Sequence, residues 1–233
     1  LIAKGIPKLN LKFLFGVGAG INDFTIGKAI LGTFLVTIIT ALFSIPIGVC
    51  TAIYLNEYAK QNKLNRLIRL AIRNLSGVPS IVYGLFGLII FIRIAHMPES
   101  ILAAGLTLGF MTLPWIITSS EEALRSIPNG YREGSLALGA SRWYTFRKNV
   151  LPYSISGIIT GSIIGLSRAA GETAPILFVG ATLYGPSPSL LKTFEALPYS
   201  IYFASFIDAN AIKLRSQVYG ICVVLILIVF LLS

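Results

Sequence analysis

Residues 29–56 read AILGTFLVTIITALFSIPIGVCTAIYLN, a stretch without a single Asp, Glu, Lys, Arg or His. At about 1.5 Å of rise per residue this run is longer than the roughly 30 Å of hydrocarbon that a helix must cross, even when tilted. It places the chain in a bilayer, and the composition agrees: 55% hydrophobic and 12% charged residues, with mean hydropathy +0.80. A soluble domain carries about 25% charged residues, so disorder is ruled out and a water-soluble globule is strongly disfavoured. The 233 residues leave room for five or six spans and for no separate catalytic domain.

Working outward from that first span, the segment 57–73 carries Lys60, Lys63, Arg66, Arg69 and Arg73, and an uncharged run over 74–92 reads as a second span. Gly77, Gly84 and Gly87 make it a poor helix in water, but small residues let membrane helices approach closely. A tight turn at His96 to Ser100 leads to a third span over 101–120, kinked at Pro114. Residues 121–152 are the long polar segment of the middle of the chain and are expected outside the hydrocarbon. A long fourth span is expected over 153–183 with Arg168 and Glu172 buried along it, ended by Gly185-Pro186-Ser187-Pro188. A connector then runs to Arg215, and 217–233 forms the last span. The fold class is all-α, a polytopic membrane helical bundle with five visible spans, and 1–233 reads as one transmembrane domain. The start at Leu1 lacks the apolar core of a signal peptide, which points to a missing N-terminal piece.

The formal charge of +10 could mean nucleic acid, but the basic residues sit in short stretches between apolar runs, and no polar face remains for a duplex. Juxtamembrane topology accounts for them better. Segments 56–73 and 121–152 hold five Lys and Arg each and fall on one side by alternation, against eight on the other (Lys4, Lys8, Lys12, Lys28, Arg93, Lys192, Lys213 and Arg215); by this modest excess the first side is expected to be cytoplasmic. Cys50 and Cys222 both lie in apolar runs and are expected to be buried small hydrophobes.

Within the polar segment, Glu133 to Ser141 reads as a short helix with small residues and a Gly-containing turn. A second helix rich in Arg and aromatics follows from Arg142 into Leu151-Pro152. Such a knob offers shape and charge to a soluble partner, or it lies as an amphipathic helix on anionic lipid. Glu133, Gly139 and Leu151-Pro152 match the spacing of the EAA signature of importer-type ABC permeases. The chain departs from it at Gly134 and Ser135, where Ala is usual and size is kept, and at Asn149, where Ile is usual.

Further stretches narrow the resemblance. Ile127-Pro128, Arg132-Glu133-Gly134, Leu136-Ala137-Leu138-Gly139-Ala140, Leu166 to Phe178 and Ala196 to Tyr202 are together similar to the PstA-type permeases of phosphate-specific ABC importers. That resemblance implies the importer permease fold with six spans, the first lying before the N-terminus of this chain. It implies that Arg132, Glu133, Gly134, Ser135, Leu138, Gly139, Ala140, Leu151 and Pro152 form the segment that couples to an ATPase. The implied partners are a PstC-like sister permease, a cytoplasmic PstB-like ATPase dimer that binds the ATP and magnesium, and a PstS-like extracytoplasmic phosphate-binding protein; the resemblance implies that the chain itself is a multi-pass protein of the cell membrane of a prokaryote.

Arg168 and Glu172 can also be read on their own. They are four residues apart, on one helix face, and charges within a span usually mark a pathway or face the bundle interior. Counted from Tyr153, Arg168 lies about 22 Å along the helix, past the midplane, where a guanidinium could meet an incoming anion. Phosphate near neutral pH keeps a proton to donate to Glu172, whereas sulfate has none. With Thr173 beside them these residues form the expected substrate pathway. Two other readings stand: an internal ion pair that only fixes packing, and an Arg that locks a closed gate.

No catalytic or metal set is expected. His96 is the only histidine and sits in a short turn; Ser119, Ser120 and Ser167 have no His/Asp partners; and no Walker-type phosphate loop is present, so the chain itself is not an enzyme and carries no cofactor. The alternatives to a phosphate permease are a PstC-type sister, a permease for another oxyanion and, from a different class, a passive anion channel or secondary carrier.

Overall fold

The computed structural model describes residues 5–6, 13–14, 25–60, 62–183, 185, 189–206 and 211–232, and it is built from helices. In chain order these are α1 (Gly27–Tyr58), α2 (Lys63–Leu75), α3 (Ser80–Ile94), α4 (Ile101–Arg125), α5 (Asn129–Ala137), α6 (Arg142–Ala170), α7 (Ala174–Leu177), α8 (Leu197–Phe206) and α9 (Ala211–Leu232). Among the described residues three helices, α1, α4 and α6, are long and apolar enough to cross a membrane. The shorter α3 joins them if it counts with α2 as one bent span, and within α9 the apolar part is Gln217–Leu232. Lys4, Lys8, Lys12, Pro186 and Pro188 lie outside the described residues, as do the side chains of Lys213 and Arg215.

The second expected span starts later than its hydropathy indicates. α2 is capped by Asn62, whose side chain accepts from the Asn65 amide at 2.9 Å, and it buries none of its residues. It ends at Leu75, and α3 does not begin until Ser80, after Ser76 to Pro79. Pro79 cannot continue a hydrogen-bonded ladder, so the break falls there. α4 is a single helix through Pro114 and extends to Arg125, so Glu121 is buried on it rather than standing in the polar segment. Cys50 is exposed, against expectation, because its position on α1 faces away from the neighbours that cover Ala52 and Leu55.

The described residues form two compact units, one of 1–41, 79–109 and 166–233, the other of 42–78 and 110–165. The second unit is built around Ala52, Leu55, Ile117, Leu124, Phe146, Val150 and Ile158. There α4 and α6 approach closely: a Cβ on Gly161 would stand 2.4 Å from the Ser119 hydroxyl, so a side chain at this position would push the helices apart. Buried hydroxyls bond back along their own helices, as Ser162 does to the Ile158 carbonyl at 2.8 Å and Ser154 to the Val150 carbonyl at 3.1 Å.

The first unit packs Ile26, Ala29, Leu197, Ile221 and Val224 together. The long fourth span expected over 153–183 is not there: α6 ends at Ala170. Its last turn closes with the Gly171 amide on the Arg168 carbonyl (3.1 Å) and the Glu172 amide on the Ala169 carbonyl (3.2 Å). Gly171 weakens the helix and Pro175 has no amide to extend it, a stop that apolar flanking residues conceal from hydropathy. The chain then folds back on itself: Phe194 N–H donates to Gly180 O at 3.1 Å, Thr182 N–H to Phe194 O at 2.8 Å, and Ser100 N–H to Val179 O at 3.1 Å. Gly32 of α1 lies under this connector, and a Cβ there would stand 2.0 Å from the Glu195 carbonyl oxygen.

Burial pushes the Glu195 carboxyl from 4.5 up to about 7, against the opposing pull of Lys28 and of the Gly185 amide. Its native value is the higher one, so its stabilising contribution is full below about 4.5 and is lost as pH rises through about 7. Hydrogen exchange at the Thr182 and Phe194 amides, corrected for intrinsic rates, is expected to quicken across that window in the wild type and not in Glu195→Gln. Identical profiles for the two proteins would contradict this assignment.

Candidate functional site

The knob expected from the sequence forms in the second unit. Pro128 precedes α5 and supplies no amide, as suits a helix start. The helix ends at Gly139, whose φ of +84° lies in the left-handed region; a Cβ there would meet nothing within 4 Å, so glycine is required by conformation and not by crowding. Ser141 then caps α6 by accepting from the Tyr144 amide at 3.3 Å.

This turn sorts the expected coupling residues into two groups. Glu133, Gly134, Leu138, Gly139 and Pro152 are exposed, with Leu138 at 90%. Ser135 is buried beneath them, accepting from the Thr145 hydroxyl at 3.0 Å, which ties α5 to the first turn of α6. Leu151 packs on the unit's core. An open cavity of about 560 Å³ beside the turn is lined by Leu138, Gly139, Ala140 and Asn149 among others. Asn149, where the family pattern has Ile, therefore lines a groove.

Arg132 points inward. Its guanidinium donates to Glu57 (Nη2 to Oε1, 2.8 Å), to the Ile127 carbonyl (Nη1, 2.9 Å) and to the Leu124 carbonyl (Nη2, 2.9 Å). Both partners are largely buried, with side-chain exposures of 17% for Arg132 and 12% for Glu57. Glu57 sits in the π-helical turn Tyr54–Tyr58 that ends α1, so one side chain joins the end of α1, the end of α4 and α5. The last carbonyls of a helix lack helical donors, and at Leu55 Arg69 supplies one. Arg69 also pairs with Glu121, which accepts from Arg125 Nη2 at 2.8 Å. Burial, and then the nearby Arg125 and Arg73 charges, hold Arg69 below the usual guanidinium range. Glu57 and Glu121 were not singled out in the sequence. The available signal was that Glu57 is the one acid within 57–73, ahead of five cations.

The expected pathway residues lie in the first unit. Arg168 is in the last turn of α6, half exposed at 51%, where a cation suits the helix C-terminus. Glu172 lies just past the helix end, 19% exposed, with Arg168 Nε 3.6 Å from its Oε1. The two remain paired although the helix has ended between them. Thr173 is the residue before α7 and makes no capping bond with its side chain. Glu172 borders a slot of about 10 Å³ shared with Thr33, Thr37 and Ala196, at the lower limit of the space a water needs. A guanidinium fork and a carboxylate at this spacing can together hold a protonated oxyanion, the first donating and the second accepting.

Comparison with known proteins places this geometry. Residues 44–233 match the family described as "Binding-protein-dependent transport system inner membrane component". The probable ABC transporter permease protein YqgI of Bacillus subtilis is 37% identical over 184 residues, 76% of this chain and 61% of its own length. The phosphate transport system permease protein PstA 1 of Mycobacterium tuberculosis is 35% identical over 86% of this chain and 66% of its own length. A probable PstA of Methanocaldococcus jannaschii is 29% identical over 98% of this chain and 80% of its own. The chain thus spans three-fifths to two-thirds of the length of the first two relatives. In fold it is similar to a chain of the MetNI methionine ABC transporter in an inward-facing conformation, with a TM-score of 0.69 at 22% identity, covering 89% of this chain and 92% of that one. A knob with an exposed turn, apolar helices long enough to cross a bilayer and a family match over residues 44–233 converge: the chain belongs to the binding-protein-dependent transport system inner membrane components, the permeases of ABC transporters.

Proposed function

We propose that the chain is the permease subunit of an ATP-driven inorganic phosphate importer. The observation that carries this reading is the Arg168–Glu172 pair at the end of α6, in a chain whose relatives include named phosphate permeases. In this reading 1–233 acts as one transmembrane domain beside a PstC-like sister permease, and Arg168, Glu172 and Thr173 border the path between the two. A PstS-like protein delivers phosphate from outside. A PstB-like ATPase dimer binds ATP and magnesium and grips the exposed turn Glu133 to Ala140 on the cytoplasmic side, with segments 56–73 and 121–152 facing it. Nucleotide shifts the permease between states only by as much as it binds one better than the other.

Arg168 donates to the anion, and Glu172 both holds Arg168 and accepts the proton that phosphate retains near neutral pH. Glu172→Gln keeps the size and removes the charged acceptor. A charged hydrogen bond contributes about 1.5–3 kcal/mol, so phosphate uptake by the assembled importer is expected to fall about 10- to 100-fold. Unchanged uptake with normal assembly would leave the pair a purely structural contact.

A further inference from the structure

The second unit contains a groove that the proposed transport path does not use. Its volume is about 850 Å³, in the range of sites that hold small ligands, and six cations line it: Lys60, Lys63, Arg66, Arg69, Arg125 and Arg132. Glu57 and Glu121 neutralise two of these charges, through Arg132 and through Arg69 with Arg125. Lys60, Lys63 and Arg66 make no ion pair among the described residues. They stand where α2 begins, and the positive end of that 13-residue helix adds to their field. Asn62 caps the Asn65 amide, while the Lys63 and Leu64 amides, being in the first turn, have no helical acceptor. Charges that served only to orient the chain in the bilayer would each be solvated separately. Here they converge on one concave surface whose floor is fixed by the Arg132–Glu57 and Arg69–Glu121 pairs.

We propose that this groove is a binding site for a phosphate group, bound by Lys60, Lys63, Arg66 and the first turn of α2, and separate from the Arg168–Glu172 pair. The group is either the headgroup of an anionic lipid or free inorganic phosphate; the chemistry of recognition is the same for both. Lysine and arginine donate to its oxygens, and the helix start suits its charge.

The test uses the permease–ATPase complex without the extracytoplasmic binding protein and with Glu172→Gln as background, so that phosphate binding at the transport path is weakened and the same in every sample compared. One sample sits in nanodiscs of phosphatidylcholine alone and is titrated with labelled inorganic phosphate by equilibrium dialysis. The other sits in nanodiscs of phosphatidylcholine with phosphatidylglycerol, and native mass spectrometry counts the phosphatidylglycerol that stays bound. Lys63→Gln with Arg66→Gln, both exposed, is compared in each arm. Binding in one of the two arms is expected to weaken about 30-fold, as two cations facing a phosphate would predict. The lipid arm responding identifies a headgroup, and the phosphate arm identifies the free anion. Lys63→Arg with Arg66→Lys keeps the charge and is expected to restore binding, which separates a lost site from a misfolded protein. If neither probe distinguishes the wild-type groove from the Lys63→Gln, Arg66→Gln variant, the groove is not a phosphate site. That outcome leaves the uptake result for Glu172→Gln untouched, so the two readings fail separately.

Discussion

Arg132→Ala is expected to destabilise the second unit by about 3–5 kcal/mol, the cost of removing one partner from a buried ion pair. The arithmetic follows from what the guanidinium holds. Its removal leaves the Glu57 carboxylate, 12% exposed, without its cation and takes the Arg132 donors from the Leu124 and Ile127 carbonyls. The ends of α1 and α4 and the start of α5 lose their common tie at once. Arg132→Lys is expected to recover only part of the loss, because one ammonium cannot present the fork that reaches three acceptors. Arg132→Met combined with Glu57→Gln is expected to be milder than Arg132→Ala, since no buried charge is stranded. Both tryptophans of the chain, Trp115 and Trp143, fall in this unit, so the thermal midpoint of their fluorescence reports on it directly. An unshifted midpoint in Arg132→Ala would mean that the ion pair contributes nothing to the unit.

Glu133→Arg, one residue further on, is expected to behave in the opposite way. Glu133 is exposed on α5, and exposed substitutions away from packed features change stability by about 0.5 kcal/mol or less. The tryptophan midpoint should therefore stay in place. What should be lost, on the proposed coupling role of this turn, is the ATPase: replacing a carboxylate by a bulkier cation within a docking surface reverses the charge offered to the partner, and the effect of such a reversal is commonly several kcal/mol. Co-purification of the ATPase subunit with the permease is the readout. Retention of the ATPase by Glu133→Arg would move the docking surface away from the knob. Adjacent residues with opposite consequences, one structural and one for partnership, would be hard to obtain unless α5 presented them as it does.

Much of the fold could be read from residues whose physics is local. The uncharged run over 29–56 becomes α1, the run over 101–120 becomes most of α4, and Gly139 and Ser141 form the turn and cap that separate α5 from α6. Less legible were features set by partners far away in the chain. The resemblance groups Arg132 with the coupling segment, yet its partner Glu57 lies 75 residues earlier, and no periodicity reveals such a pair. The stop at Ala170 was hidden because Ala174 to Phe178 is apolar, so hydropathy continues where the backbone does not. Arg168 and Glu172 were expected on one continuous helix; they still meet, because the closing turn keeps four-residue neighbours on the same side. Asn149 departs from the resemblance's pattern, where Ile is usual, and the structure gives it a place on the groove beside the knob.

The central claim is that this permease moves phosphate only when an ATPase acts through the exposed turn of α5. ATP-dependent uptake of labelled phosphate by vesicles holding the assembled importer, wild type against Glu133→Arg, tests it most directly. The account predicts uptake that requires ATP in the wild type and is abolished in Glu133→Arg while the variant permease remains folded in the membrane. Uptake that proceeds without ATP, or that ignores the substitution, would contradict it and point to a passive anion carrier.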